Sequence, residues 1–279
     1  MIKEDIRISD IIGSDITKIY SIIDNVYKYY LPRQITKKKF GRAQELRNGT
    51  NKRDICGVKY PLKQIQQKIH RYLSQISLPD YMYGSVAKKN NILNAVEHVN
   101  NEYFLSVDLK NYFTNISCHQ VHSMFLMLGF SSSVSKTLTQ LTTFQGHLPQ
   151  GAPTSPFISN LVFVKTGNLL MSLVQEKNIT FTTYLDDLSF SSKEDFKSIH
   201  SQIMEILIAG KFKLNTDKIT YTQFNPEITG LFINKRQLVL EPKMARYAKQ
   251  NKSCFQYLKA IYEANKLILL RSNVIPMET

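Results

Sequence analysis

Near the start of the chain, Ile11, Ile12, Ile16, Ile19, Ile22, Ile23 and Val26 recur at close to helical spacing, which predicts helices within the first forty residues. Further on, Leu62, Ile65, Ile69 and Leu73 fall on one face of the segment from Pro61 to Leu73, the pattern of an amphipathic helix. A shorter apolar run, Tyr103 to Val107, ends at Asp108 and predicts a strand. The polar turn Asn111 to Ile116 follows, with a helix expected from near Ser117. Phe181 to Phe190 has the pattern of a buried β-hairpin interrupted by two adjacent aspartates, Asp186 and Asp187. Ile199 to Ala209 is helical in pattern, and Lys211 to Tyr221 is expected to return to a strand. Residues 37–53 are rich in Lys, Arg, Asn and Gly; Asn48-Gly49 is a turn signal, so a basic hairpin is expected there.

The paired aspartates conflict with their apolar flanks. Carboxylates are rarely buried without a cation, and neighbouring like charges oppose joint ionisation. A divalent cation removes the conflict. Asp108, at the end of its own strand, can converge on the hairpin turn when the strands lie side by side, although alone it could equally cap the following helix. Three carboxylates so gathered can hold two Mg²⁺, which in such sites sit roughly 3.5–4 Å apart and serve in-line phosphoryl displacement. Nucleotidyl transfer is the natural reaction.

Between the two acidic positions lies Gly146-His-Leu-Pro-Gln-Gly-Ala-Pro-Thr-Ser-Pro156, followed by the apolar run Phe157 to Val164. Its prolines stiffen an irregular loop, and Pro156 suits the first turn of a following helix. The small side chains let backbone approach a substrate closely, and Gln150 can present both a donor and an acceptor to a base or sugar. A plain proline-rich connector is the blander alternative.

In order, Val107-Asp108, Leu148-Pro-Gln-Gly-Ala-Pro-Thr-Ser-Pro156 and Tyr184-Leu-Asp-Asp187 resemble motifs A, B and C of reverse transcriptases. More narrowly, Asn94-Ala-Val-Glu-His98 and Ile228-Thr-Gly-Leu231 resemble elements of the bacterial retron reverse transcriptases. The resemblance covers roughly residues 47 to 235 and implies an α+β, right-hand polymerase fold: fingers, a palm built as an antiparallel sheet backed by helices, and a short helical thumb. The corresponding division is an N-terminal helical segment (1–30), fingers (31–100), palm (101–235, with a fingers insertion near 120–160) and thumb (236–279).

The resemblance also implies site residues. Asp108, Asp186 and Asp187 would be catalytic and would hold two Mg²⁺, with Mn²⁺ able to substitute, helped by the backbone carbonyl of Leu109. Arg47, Arg53, Phe113, Gln150 and Lys218 would bind the nucleotide, Phe113 as a steric gate against a ribose 2′-hydroxyl and Lys218 as the motif D lysine. Asn94, His98, Thr229, Gly230 and Leu231 would recognise RNA. Each has a plainer alternative: a solvated arginine, a core phenylalanine or histidine, a lysine on an exposed strand edge, a simple β-turn. The implied function is RNA-directed DNA synthesis on a dedicated structured non-coding RNA of the msr-msd type, from dNTPs. Priming would come from an internal guanosine 2′-hydroxyl to give branched, RNA-linked msDNA, and an effector protein would accompany it in antiphage defence.

Three features depart from the family pattern. Leu185 stands where alanine is usual, Val58 where proline is usual, and the tail after Asp187 is short for a full thumb. The rival classes are a group II intron-like or diversity-generating reverse transcriptase and a non-catalytic RNA-binding protein.

Composition agrees with a nucleic-acid partner. Lys plus Arg number 36 against 22 Asp plus Glu, a formal charge of +14, so the chain is drawn to polyanions through a salt-sensitive attraction. No apolar stretch is expected to approach the roughly 20 residues that span a bilayer, and the polar start Met1-Ile-Lys-Glu-Asp does not resemble a signal peptide. A cytoplasmic protein with no membrane partner is expected. Cys56, Cys118 and Cys254 are too scattered for a disulfide framework, and Cys118, His119 and His122 lack further zinc ligands.

Overall fold

The computed structural model describes residues 7–36, 38–39, 42–43 and 52–272. They fall into two compact units, one of residues 1–78 and 111–165, the other of residues 79–110 and 166–279. Residues 79–100 therefore group with the second unit rather than with residues 31–78, and residues 236–279 also belong to it.

The chain opens with α1 (Ile8–Ile12) and α2 (Ile16–Asp24). Gly13, at φ +56°, ends the first, and the Asp15 carboxylate caps the second by accepting from the Thr17 amide at 2.7 Å. Helix does not continue to residue 40. The β-rich stretch Tyr30–Thr36 forms β1, and after two short paired strands, β2 (Lys38–Lys39) and β3 (Arg42–Ala43), it pairs antiparallel with β4 (Lys52–Val58). The Asn48-Gly49 turn and Arg47 lie outside the described residues. Helix α3 (Leu62–Leu73) buries the predicted stripe, Leu62, Ile65, Ile69 and Leu73.

The second unit then contributes α4 (Asn91–Val96) and β5 (Tyr103–Asp108). The chain returns to the first for α5 (Tyr112–Asn115), α6 (Cys118–Met127) and α7 (Ser132–Thr142). Ser117 and Gln120 form a capping box at the start of α6. Helix α8 (Ser155–Gln175) crosses from the first unit into the second. By length and composition it is apolar enough to cross a membrane, contrary to the expectation that no stretch approaches that length. Ser159, Asn160, Thr166 and Asn168 interrupt the run and hide it from a search for unbroken apolarity. Over half of the stretch (56%) is buried inside the protein, as in a core helix.

Strands β6 (Thr180–Tyr184) and β7 (Asp187–Ser192) form the predicted hairpin. Helix α9 (His200–Ala209) and β8 (Thr220–Thr222) follow. The strand expected over 211–221 is thus confined to its end, because a 3₁₀ turn, Thr216–Lys218, bends the chain before it. The four-stranded sheet has the order β6-β7-β5-β8, with all neighbours antiparallel. Leu105, Val107, Phe181, Leu188 and Phe190 are buried on it, and the Phe181 and Phe190 rings stack at 4.6 Å.

A three-stranded meander comes next: β9 (Glu227–Ile228), β10 (Leu231–Asn234) and β11 (Gln237–Val239). Helices α10 (Pro242–Gln250) and α11 (Lys252–Ser272) complete the second unit. Ile261 and Ile268 of α11 join Ile92 and Ala95 of α4 and Ile228, Leu231, Ile233 and Leu238 of the meander in one apolar core. The Asn265 side chain seals this contact by bonding both the amide and the carbonyl of Leu238.

Candidate active site

The register of the central sheet assembles the carboxylates. Asp108, the last residue of β5, lies directly opposite Asp187, the first of β7. Tyr184 pairs with Asp187 across the hairpin, which leaves Leu185 and Asp186 as a two-residue turn. The Leu109 amide donates to the Asp186 carbonyl at 2.9 Å, tying the turn to the end of β5. Leu109 itself is buried.

Charge is crowded here. The Asp187 side chain keeps a solvent-facing edge, but the protein around it strips away hydration, and Asp186 and Asp108 add like charge. Together they push its carboxyl up to about 7, against a smaller opposing pull from Lys218. Asp108 is held from one side: Asn215 Nδ2 donates to Oδ1 at 2.7 Å, and Lys218 Nζ pairs with Oδ2 at 2.9 Å. Lys218 is otherwise exposed and reaches the cluster from the 3₁₀ turn.

Among the described residues, no three His, Cys, Asp or Glu side chains are gathered into a ready metal cage, and this includes the Cys118, His119 and His122 group. Asp108 instead faces an ammonium and an amide. The donor chemistry of the acidic cluster nevertheless fits a hard divalent cation. It offers oxygen ligands, and the Asp187 carboxyl is raised first by desolvation and then by the like charges of Asp186 and Asp108, both of which a bound cation would offset.

Gly84 seats the turn. Tyr81 to Gly84 runs beside β6, with the Tyr83 amide donating to the Thr183 carbonyl at 2.8 Å and the Thr183 amide to the Tyr81 carbonyl at 2.8 Å. A side chain on Gly84 would put its Cβ 2.7 Å from the Leu185 amide nitrogen. Leu185 takes φ +58°, a conformation that a branched side chain adopts only when its surroundings impose it.

The two stretches expected to read RNA meet each other. Asn94 is buried, and its amide donates to Thr229 Oγ1 at 3.4 Å. The nearby Asn91 amide donates to the Thr229 carbonyl at 3.1 Å and to the Tyr257 hydroxyl at 2.6 Å. Leu231 is core and Gly230, at φ +85°, turns the chain in the open. Of the five residues, Thr229 and Gly230 present surface in the free chain, whereas Asn94, His98 and Leu231 are buried. The His98 ring lies between Ser191 Oγ at 2.6 Å and Thr182 Oγ1 at 2.7 Å, bracing β6 against β7. Burial lowers its pKa to about 3, so the ring is neutral.

The remaining candidates belong to the first unit. Arg53 is exposed on β4. The Gln150 carbonyl accepts from the Cys56 amide of the same strand at 2.7 Å, and Gly151, at φ +117°, passes so close that a Cβ would lie 3.2 Å from the Cys56 carbonyl oxygen. This close approach joins the proline-rich loop to the strand that carries Arg53. Phe113 is half-buried, with its ring centroid 5.6 Å from that of Tyr112. Sequence reasoning passed over Asn215 and Gly84. The first carried a signal, since it stands three residues before the candidate Lys218; the second depends on a close approach that sequence does not display.

The chain belongs to the reverse transcriptase (RNA-dependent DNA polymerase) family, whose pattern matches residues 35–258. Within that family it is similar to several retron enzymes. It is 28% identical over 223 residues to the Retron Se72 reverse transcriptase of Salmonella heidelberg (strain 579083-10), covering 77% of this chain and 58% of that protein. It is 26% identical over 182 residues to the Retron Ec86 reverse transcriptase of Escherichia coli, covering 63% and 57%. With the Retron Ec83 reverse transcriptase of Escherichia coli it shares 30% identity over 205 residues, covering 67% and 66%. The chain thus spans between 57% and 66% of the length of these three curated relatives.

Proposed function

We propose that this protein is an RNA-directed DNA polymerase of the retron type, acting by two-metal nucleotidyl transfer. The observation that carries the reading is the register that sets Asp108 opposite Asp187, with Asp186 in the adjoining turn. In this reading an N-terminal helical segment (1–30) precedes fingers at 31–100, a palm at 101–235 with a fingers insertion near 120–160, and a short helical thumb at 236–279.

Asp108 and Asp186 hold two Mg²⁺, or Mn²⁺ in their place, with Asp187 and the Leu109 carbonyl completing the donor set. When bound, the ions lower the pKa of the primer hydroxyl and neutralise charge on the triphosphate and departing pyrophosphate. Lys218 exchanges Asp108 for the triphosphate and donates charge or a proton toward the leaving group. Arg47 and Arg53 meet the triphosphate, Phe113 packs beneath the deoxyribose, and Gln150 places the template or nascent pair. The exposed turn at Thr229 and Gly230 serves RNA recognition, with Asn94 and Leu231 holding its shape from beneath.

The template is a structured non-coding RNA of the msr-msd type, copied from dNTPs. Synthesis is primed by an RNA 2′-hydroxyl and yields branched msDNA, in a cytoplasmic antiphage system with an effector protein. The names of the curated relatives support the retron type, and the formal charge of +14 supports a polyanionic partner.

The test is primer extension by the purified protein on an RNA template with Mg²⁺, together with analysis of co-purifying nucleic acid. The expected results are extension, its abolition in Asp186→Asn, and DNA that separates from RNA only after a 2′-5′ branch is cut. Linear DNA alone would favour a group II intron-like or diversity-generating enzyme. RNA binding without extension would mark a non-catalytic RNA-binding protein.

A further inference from the structure

Past Asp108, the chain runs antiparallel to Lys213-Leu214-Asn215. The Lys110 amide donates to the Lys213 carbonyl at 2.8 Å, and the Asn215 amide donates to the Asp108 carbonyl at 2.9 Å. Leu109 and Leu214 form a bridge between them. The backbone of Asn215 is therefore fixed to that of Asp108 before either side chain is considered. Its side chain adds a third tie, Nδ2 to Asp108 Oδ1 at 2.7 Å. The 3₁₀ turn then returns, with the Lys218 amide donating to the Asn215 carbonyl at 2.9 Å, so one turn delivers donors to both oxygens of the same carboxylate.

The two donors differ in kind. Lys218 sits on a long, exposed side chain and brings a charge, whereas Asn215 is short, half-buried and neutral. A neutral amide can hold one oxygen permanently without competing for the cation's charge. A carboxylate at the same position would add a fourth negative group to a crowded cluster, and a lysine would neutralise it.

We infer that Asn215 is a positioning residue for Asp108, fixing the rotation of its carboxylate by holding Oδ1, so that Oδ2, paired here with the mobile-stemmed Lys218, is the oxygen that would be offered to a cation. This rests on the reading of Asp108 as a metal-holding carboxylate. Partners that orient a ligand are worth about 10- to 100-fold in metal affinity or activity when removed. Asn215 acts through Asp108 and touches no reacting atom.

The experiment uses the full chain with Asn215→Ala, Asn215→Leu, which keeps the bulk but not the donor, and Thr216→Ala, an exposed control in the same turn. Primer extension is measured across Mg²⁺ and dNTP concentrations. Separately, the Mg²⁺-induced shift in Tm is measured without nucleic acid. Both Asn215 variants are expected to lose about 10- to 100-fold in kcat and to need more Mg²⁺ for activity and for the Tm shift. KM for dNTP is expected to stay within about twofold, because the lost interaction is not a substrate contact. Thr216→Ala should match the parent.

A folded Asn215→Ala or Asn215→Leu protein with parental kcat and parental Mg²⁺ response would overturn the inference. Activity surviving in Asp186→Asn would overturn the underlying reading instead.

Discussion

Gly84 and Leu185 are so close that a Cβ on the former would lie 2.7 Å from the amide nitrogen and 2.8 Å from Cγ of the latter. The obstacle includes backbone, and it is the backbone of the turn that carries Asp186. Gly84→Ala is therefore expected to cost about 1–3 kcal/mol through overpacking. Primer extension should fall more steeply than the folded fraction, because the turn itself must shift. Denaturant unfolding and single-turnover rates measured on the same sample would check this, and parental rates in a folded variant would contradict it.

The raised Asp187 carboxyl gives a pH dependence of definite sign. Its folded pKa, about 7, lies above the ordinary carboxylate value of 3.8, so the folded protein retains a proton that the unfolded chain has lost. Without metal, this group should lower stability as pH rises from about 4 to about 7. Mg²⁺ favours the ionised form, so binding should release protons below pH 7 and weaken as pH falls. Calorimetry in buffers of different ionisation enthalpy would detect the release. Asp187→Asn should remove it.

His98 has the opposite sign. Its folded pKa of about 3 lies below the ordinary 6.5, so its contribution is complete above pH 6.5 and is lost as pH falls toward 3. His98→Ala would leave the Thr182 and Ser191 hydroxyls without the ring that bonds them. A destabilisation of about 3 kcal/mol or more is expected from the cavity and the abandoned Thr182 hydroxyl, while Ser191 Oγ keeps its bond from Asn101 Nδ2. A residue that instead touched RNA would lose RNA affinity and leave Tm unchanged. Thermal unfolding and RNA binding of this variant separate the two.

The hydroxyl of Tyr257 links α11 to Asn91 at the start of α4. Removing the donor in Asn91→Ala should cost about 1–2 kcal/mol and speed hydrogen exchange in α11 before it does so in the four-stranded sheet. Uniform exchange throughout the second unit would show that α11 has no separate stability.

Contacts local in sequence were the legible ones. The hairpin of Phe181 to Phe190, the strand ending at Asp108 and the helix capped by Ser117 announce themselves through period and capping residues that lie within a few positions of one another. What stayed hidden spans long intervals: Asn94 meets Thr229, and His98 meets Thr182 and Ser191. A buried histidine that braces two strands carries the same letter as one that reads a nucleotide, so a family resemblance placed these residues without assigning their work. The left-handed Leu185 was hidden for a different reason: its conformation is imposed by neighbours and not favoured by its own chemistry. Asn215 escaped because the expected strand over 211–221 made it one polar residue among several, and only the observed turn aims it at Asp108.

Side chains alternate between the two faces of a sheet, so the Asp108–Asp187 pairing also depends on counting. One residue inserted between Tyr103 and Asp108 would leave every chemical group of the cluster in the chain and most ladder hydrogen bonds intact. It would nonetheless offer Asp187 a different partner and turn Asp108 to the far side of the sheet. Such a protein would fold with the acidic composition of a polymerase site and none of its geometry. The length of β5 is thus as much a part of the site as the carboxylates it delivers.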